Sequence, residues 1–430
     1  MSQQSHHPDH HARDDIFHKR ARNLADAAKF GAIPPGVDIH RLRIGRLQRV
    51  RAEMERQDVG VLILIDPINI RYATDARNMT NFTMRTPARY LFLPVEGPVI
   101  LFEFSGGEHL GQGLGTIDEV RTGITVSFAT NGRFVYKKGQ EWADQIHDLI
   151  SHHSRGNGRI GLERVHFAAA NALATYGYEI VDAHAILDVA RMVKLPEEIA
   201  CMQASIRSVE LGMHRMQAAL EPGVTENELW AILYYTVIES NGEYIDTRLL
   251  SSGDRTNPWY NEASPRIVQK GELVAFDTDV IGPFGYYADI SRTFYCGDGR
   301  PTAEQHKLYR LAWEQINHNM ELLRPGMSFR EVAEKAWPLP EPYVANRYFC
   351  LAHGANMIGG YPNIMHKQDF DTFGYDGVIE PNMVLCVESY IGEEGGAEGV
   401  KLEHQVLVTE QGPELMSQFP FEEALLGWEL

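Results

Sequence analysis

Two short segments in the second half of the chain are versions of one another: Leu220-Glu221-Pro222-Gly223-Val224-Thr225 and Leu323-Arg324-Pro325-Gly326-Met327-Ser328. A helical stretch comes before each Pro-Gly turn, and an acidic or amphipathic helical stretch follows it. Gly271-Glu272-Leu273-Val274 then leads into an apolar run carrying Asp277, as Asn382-Met383-Val384-Leu385 leads into one carrying Glu388. Both carboxylates fall six residues after the matched turn positions, Gly271 and Asn382. A Pro-Gly match alone means little. Turn, helix and carboxylate-bearing strand recurring in one order point to an internal duplication. Two related halves facing each other deliver ligands into one cleft from both sides.

The apolar run L-V-A-F-D-T-D-V reads as a buried strand with Asp277 and Asp279 at i and i+2, on one face. Asp289 follows in D-I-S-R-T-F, His353 in L-A-H-G, Glu388 in M-V-L-C-V-E and Glu403 in V-K-L-E-H-Q-V-L-V. Each has a bland alternative: a strand-end acid, a turn cap, a core histidine, an acid paired with Lys401. Taken together they do not, because burying carboxylates in apolar strands without cations is costly. Five carboxylates and one imidazole form a mostly hard donor set that suits Mn²⁺, Fe²⁺, Co²⁺ or Zn²⁺. Six residues serving two ions require bridging carboxylates, and such a pair orients substrate and stabilises developing negative charge.

The chain has 430 residues, 44% of them hydrophobic and 23% charged, which is the profile of a globular protein with two or three domains. A formal charge of −18 with no overriding basic cluster disfavours nucleic acid, and no nucleic-acid or membrane partner is expected. No apolar stretch reaches the roughly 18 residues of a membrane span, and the N-terminus lacks the apolar core of a signal peptide. Cys201, Cys296, Cys350 and Cys386 lie far apart, which fits reduced thiols in a cytoplasmic protein.

Three regions are expected. Residues 1–36 read as a flexible, His-rich tail ending in Ile33-Pro34-Pro35-Gly36. Residues 37–188 alternate helices and strands: a helix with Leu42, Leu47, Val50 and Met54, the strand V-G-V-L-I-L-I-D, a hairpin around Glu96-Gly97, a helix near Glu141–Ser151, a strand at Arg159–Leu162 and a helix near Phe167–Tyr176. That alternation makes an α/β N-terminal domain. Residues 189–430 form the second domain, opening on a helix with Pro196 in its first turn and Glu197 and Glu198 at its positive end.

The motifs D-T-D, D-I-S-R-T-F, L-A-H-G, L-C-V-E-S and K-L-E-H-Q-V-L-V resemble those of the pita-bread superfamily of methionine aminopeptidases, prolidases and creatinases. The resemblance implies an α/β creatinase-like N-terminal domain and an α+β pita-bread C-terminal domain with a curved antiparallel sheet and an internal pseudo-twofold repeat. It also implies a homodimer and two metal ions on Asp277, Asp289, His353, Glu388 and Glu403. Asp279 has no place in the peptidase pattern. D-P-I-N-I-R-Y-A-T-D, E-Y-I-D-T-R-L-L-S-S-G, R-T-N-P-W-Y, P-R-I-V-Q-K, F-D-T-D-V-I-G and P-F-E-E-A-L-L-G look like one branch, the dimethylsulfoniopropionate (DMSP) lyases of the DddP type. There the residue matching Asp279 joins the metal set, iron is the metal implied, and DMSP is cleaved to acrylate and dimethyl sulfide.

Two departures bear on function. Peptidases of the superfamily carry a histidine seven residues after the metal-binding one, where this chain has Gly360, followed by Tyr361. The lyases place an aspartate base six residues after it, where this chain has Gly359. A glycine abstracts no proton, and Gly359-Gly360 on their own read as a tight turn. Tyr348, Glu262 and Tyr361 are the candidate catalytic groups, with His366 or a metal-held hydroxide as further possibilities. Trp259, Tyr348 and Tyr361, within a wider set that includes Tyr260, Tyr286 and Tyr287, are candidates for substrate binding, because aromatic faces attract onium groups. The expectation is a metal-dependent lyase acting on DMSP or a related small onium carboxylate. A metallohydrolase of a small C–N or Xaa-Pro dipeptide substrate and a non-catalytic metal-retaining binding protein are the alternatives.

Overall fold

The computed structural model describes residue 34 and residues 36–427, so the His-rich segment read as a tail lies almost wholly outside the described residues. The first expected helix runs Ile39–Arg56, and Asp38 caps it by accepting from the amides of His40 and Arg41. Its buried stripe holds Leu42, Leu47, Val50 and Met54.

Six strands follow: β1 (Val61–Leu64), β2 (Tyr90–Pro94), β3 (Ile100–Glu103), β4 (Glu119–Thr122), β5 (Arg159–Leu162) and β6 (Glu179–Asp182). They form one sheet in the order β4-β3-β2-β1-β5-β6. The hairpin expected around Glu96-Gly97 is the antiparallel β2–β3 pair, while β1–β5 and β5–β6 are parallel. Successive residues of β1 face opposite sides. Val61 and Ile63 pack with Trp142, Ile146 and Ile150 of the helix Val135–His153. Leu62 and Leu64 pack with Leu47, Ile186 and Leu187, which joins the first helix to the helix Ala183–Met192. Helices on both faces are why β1 reads as an unbroken apolar run.

The second domain opens on the helix Pro196–Ala219, with Pro196 in its first turn and the Glu198 carboxylate accepting from the Leu195 amide. Its strands are β7 (Tyr244–Ile245), β8 (Leu250–Ser252), β9 (Leu273–Phe276), β10 (Val280–Ile281), β11 (Tyr287–Ala288), β12 (Arg292–Tyr295), β13 (Ala352–Ala355), β14 (Gly359–Ile364), β15 (Val384–Ile391), β16 (Val400–Thr409) and β17 (Gly412–Leu415). They form the sheets β11-β10-β7, β12-β9-β8 and β14-β13-β15-β16-β17, and every pairing is antiparallel. β12 runs against β16, where the Thr293 hydroxyl accepts from the Lys401 amide and donates to its carbonyl.

The duplication is written in the backbone. Thr225 and Ser328 each cap a following helix, and each exchanges bonds with a glutamate three residues on, Glu228 and Glu331. The Gly223 amide donates to the Val268 carbonyl as Gly326 donates to Ile379, and Val268 returns a bond to Val224 as Ile379 returns one to Met327. Gly271 and Asn382, the matched turn positions, both adopt positive φ, +87° and +68°.

Two local readings are corrected. L-V-A-F-D-T-D-V is not one strand: β9 stops at Phe276 and Asp279 takes φ +41° before β10 begins. Gly359-Gly360 are not a tight turn either. They open β14, which pairs with β13 across a register shift between His353 and Gly354. A Cβ on Gly354 would stand 1.9 Å from the Tyr361 carbonyl oxygen, so only glycine permits this approach.

Candidate metal centre

The six acidic and imidazole residues singled out in the sequence meet in one buried place. Asp277 directly follows β9, Asp279 lies in the break before β10, and Asp289 follows β11. His353 is on β13, and Glu388 on β15 stands directly opposite Glu403 on β16. Oxygens of Asp277, Asp279 and Asp289 lie within 4.8 Å of one another, as do ligand atoms of Asp289, His353, Cys386 and Glu403. His353 Nε2 is 3.2 Å from Glu388 Oε1, 3.6 Å from Asp289 Oδ2 and 3.8 Å from Glu403 Oε1. The duplication thus supplies donors from both halves.

One cation already sits among them. Lys401, two residues before Glu403 and therefore on the same face of β16, is fully buried. Its Nζ donates to Glu388 Oε2 and Ser291 Oγ, both at 2.6 Å, and lies 3.2 Å from Glu403 Oε2 and 3.3 Å from Asp277 Oδ2. Ser291 Oγ in turn donates to Glu403 Oε2 at 2.8 Å. On the far side, the hydroxyls of Tyr287 and Thr247 donate to Asp279.

Charge decides what the cluster lacks. The five carboxylates carry −5 when ionised, Lys401 returns +1 and neutral His353 adds nothing, so −4 is left in a site where no member is more than 8% exposed. Without further cations that excess cannot persist. Burial pushes Asp279 up to about 7, with repulsion from Asp277 adding to it. Burial raises Asp289 and Glu403 as well, reinforced by Asp279 and Glu388 respectively. Burial would also raise Asp277, but the Lys401 ammonium together with hydrogen bonds from Asp289, Glu403 and Ser291 outweighs it and leaves that carboxyl at about 2. Burial disfavours the charged His353 ring, whereas its bond to Glu388 favours it, and the net direction is upward. Two dications equal the remaining −4. Glu403 Oε1 is buried with no hydrogen-bond donor, as a lone pair kept for a cation is expected to be. The donor set fits a pair of metal ions.

An aromatic wall faces the cluster. The Lys401 ammonium lies 4.7 Å from the Tyr348 ring centroid and 5.8 Å from that of Trp259, distances at which a cation feels the ring face. Tyr260 stacks on Tyr348 at 5.8 Å and Tyr390 backs Trp259 at 5.9 Å.

The remaining sequence candidates lie elsewhere. Glu262 is exposed, its backbone bridged to Leu249. Tyr361 stacks on Tyr375 at 5.6 Å, and the charges that act on it are Asp188, Glu53 and Arg56, away from the carboxylates. Tyr286 bonds to Glu198 and Arg46. His366 is buried, and burial lowers its pKa to about 4. Lys401, Ser291, Cys386 and Thr247 went unrecognised as parts of the centre. The signal for two of them was present: Lys401 precedes Glu403 by two on one strand, and Cys386 precedes Glu388 by two on another.

Comparison with known proteins places the chain in a family. Residues 200–410 match metallopeptidase family M24, and residues 46–193 match the creatinase/prolidase N-terminal domain. The chain is 34% identical over 395 residues to the dimethylsulfoniopropionate lyase DddP of Roseovarius nubinhibens, covering 91% of this chain and 89% of that protein. It is also 34% identical over 397 residues to DddP of Roseobacter denitrificans, with the same coverage. It is 28% identical over 239 residues to the Xaa-Pro dipeptidase of Pyrococcus furiosus, 53% of this chain and 64% of that one. Among solved structures, the recombinant prolidase of Thermococcus sibiricus superposes with a TM-score of 0.71 at 18% identity, covering 88% of this chain and 97% of that chain.

Proposed function

The chain belongs to metallopeptidase family M24, with a creatinase/prolidase N-terminal domain, and from its likeness to the DddP lyases we propose that it is a metal-dependent carbon–sulfur lyase. Its substrate is DMSP or a related small onium carboxylate, cleaved by loss of a proton α to the carboxylate and elimination across the α–β bond.

One observation beyond the similarity carries this reading: a positive nitrogen already rests against the faces of Tyr348 and Trp259, beside the carboxylate cluster. Rings that already accept an ammonium at the edge of a metal site are the kind of surface that draws the onium end of a small carboxylate. Asp277, Asp279, Asp289, His353, Glu388 and Glu403 would hold two divalent ions, with iron favoured by the likeness to DddP and Mn, Zn or Co also compatible with the donors. Two ions held by these residues would supply Lewis-acid chemistry, anchoring the substrate carboxylate and acidifying its α-hydrogens. Trp259 and Tyr348 hold the sulfonium end, and the burial of the cluster keeps water from competing. We infer a homodimer from the superfamily likeness and a cytoplasmic setting from the four buried free cysteines.

Fold similarity to prolidases supports a second reading, hydrolysis of Xaa-Pro dipeptides. The test is to load the purified protein with Fe²⁺ and supply DMSP and Xaa-Pro dipeptides in separate reactions. Release of dimethyl sulfide and acrylate in equal amounts supports the lyase. Dipeptide cleavage without dimethyl sulfide overturns it in favour of the hydrolase.

A further inference from the structure

The two domains enclose between them a cavity of about 1590 Å³, and none of its lining residues belongs to the six of the metal centre. The N-terminal domain contributes Arg43 and Arg46 from the helix Ile39–Arg56, Arg71 from the helix Pro67–Thr74, Asp75 just after it, and Arg77. The second domain contributes Glu243 and Tyr244 at β7, and Phe284 and Tyr286 between β10 and β11. Carboxylates are already held here in one manner. Asp75 is spanned by Arg43 at 2.7 Å and Arg46 at 3.0 Å, and Glu243 by Arg71 at 2.6 Å and Arg77 at 3.3 Å. Four guanidinium groups thus face two carboxylates, which leaves two positive charges of the lining unmatched. Glu198 lies behind Tyr286 and also faces the buried Lys194. The Tyr244 hydroxyl is buried in the same wall with no hydrogen-bond partner, as are Arg46 Nε and Arg71 Nε.

The rest of the lining is largely apolar. Met79, Phe82, Leu110 and Ile238 are 40% to 54% exposed, and large apolar side chains grouped in one concavity mark a binding surface. Met79 and Phe284 hold positive φ, +34° and +65°, a costly conformation for residues with side chains and one that collects at ligand sites. The Arg71 guanidinium lies against Gly285, where a Cβ would stand 2.1 Å from Nη1, so only glycine lets the arginine reach in.

We propose that this interdomain cavity binds an acyl carboxylate, with its carboxylate among the arginines and its hydrocarbon chain against Met79, Phe82 and Leu110. A guanidinium fork matches a carboxylate with two parallel bonds, and the cavity already holds Asp75 and Glu243 through arginine pairs. A third carboxylate answers the excess positive charge in the same chemistry. The volume exceeds the roughly 300–1,000 Å³ of ordinary small-molecule pockets, so a chain of several methylenes has room. Arginines of one domain and Tyr244 of the other would meet on the ligand and tie the domains together. The proposal stands independently of the lyase reading.

The test is calorimetric titration of the Fe²⁺-loaded full chain with hexanoate, octanoate and decanoate, repeated on chelator-stripped protein. One anion is expected to bind per chain, with affinity rising about fourfold for each added methylene. Binding is expected to persist in stripped protein; binding that disappears with the metal places the carboxylate at the metal centre and overturns the proposal. Arg43→Ala and Arg77→Ala are each expected to weaken octanoate on the order of tenfold, the loss of a charged hydrogen bond. Phe82→Ala is expected to weaken decanoate more than hexanoate. Octyltrimethylammonium, with a similar chain and the opposite charge, is expected not to bind, and binding equal to that of octanoate overturns the proposal. So does wild-type affinity in both arginine variants, or no binding to the wild type. If an arginine variant unfolds, the chain-length series and the cationic control on the wild type decide.

Discussion

Lys401 and Glu388 form a 2.6 Å ion pair from which solvent is wholly excluded, inside a site otherwise built to attract metal. The lysine is part of the charge balance of the centre, since it leaves a deficit that two dications match. Removing one partner of a buried pair strands the other charge, at a cost of about 3–5 kcal/mol. Lys401→Met is therefore expected to lose about that much stability in urea unfolding of the chelator-stripped protein, and to recover part of it when metal is added. A loss below about 1 kcal/mol, the size of an ordinary point substitution, contradicts a central role for the lysine.

Asp277 stays at about 2 although it is buried, because Lys401 and the hydrogen bonds of the cluster together outweigh burial, so it is ionised and ready for metal. Asp277→Ala is expected to lose bound metal and activity together, read by elemental analysis and dimethyl sulfide release on the same preparation. Full activity in that variant contradicts the site.

The raised carboxyls give a pH signature with a definite sign. Asp279 stands at about 7 in the metal-free fold against an ordinary 3.8, so between those values the folded chain binds the extra proton. Its contribution to metal-free stability is fully present below about 3.8 and is lost as pH rises through about 7. Asp289 and Glu403 are shifted in the same direction. Metal must displace these protons, so its affinity rises with pH. The difference in melting temperature between metal-loaded and stripped protein is expected to widen from pH 4 to pH 7. A gap that narrows contradicts the assignment.

Trp259 and Tyr348 are expected to act on binding more than on chemistry. A desolvated ring face contributes about 1–2 kcal/mol to a cation, or roughly 5–30-fold in affinity. Trp259→Leu is expected to raise KM for DMSP by about that factor with a smaller change in kcat. An equal loss for an uncharged isostere of the substrate would show that shape, not charge, is recognised.

Much of this was legible in the sequence because buried strands are short of charge, so Asp277, Glu388 and Glu403 stand out from their apolar runs. The duplication was legible because its turn chemistry is strict, and Gly271 and Asn382 share positive φ although only one is glycine. Lys401 was passed over, although it precedes Glu403 by two and so shares its strand face, because a lysine in a strand ordinarily carries its charge to solvent. The register that sets Glu388 opposite Glu403 brings it to both carboxylates. Asp279 was legible by position but not by conformation, since nothing in an apolar run signals a left-handed residue. The cavity between the domains joins Arg71 and Glu243, distant in the chain, and the pattern around either one does not show it.

The most direct measurement is dimethyl sulfide release per chain as Fe²⁺ is titrated into stripped protein, with bound metal counted at each point. The account predicts activity that is absent without metal, climbs with occupancy and levels off at two ions per chain. Full release from metal-free protein, or none from protein holding two ions, would contradict it.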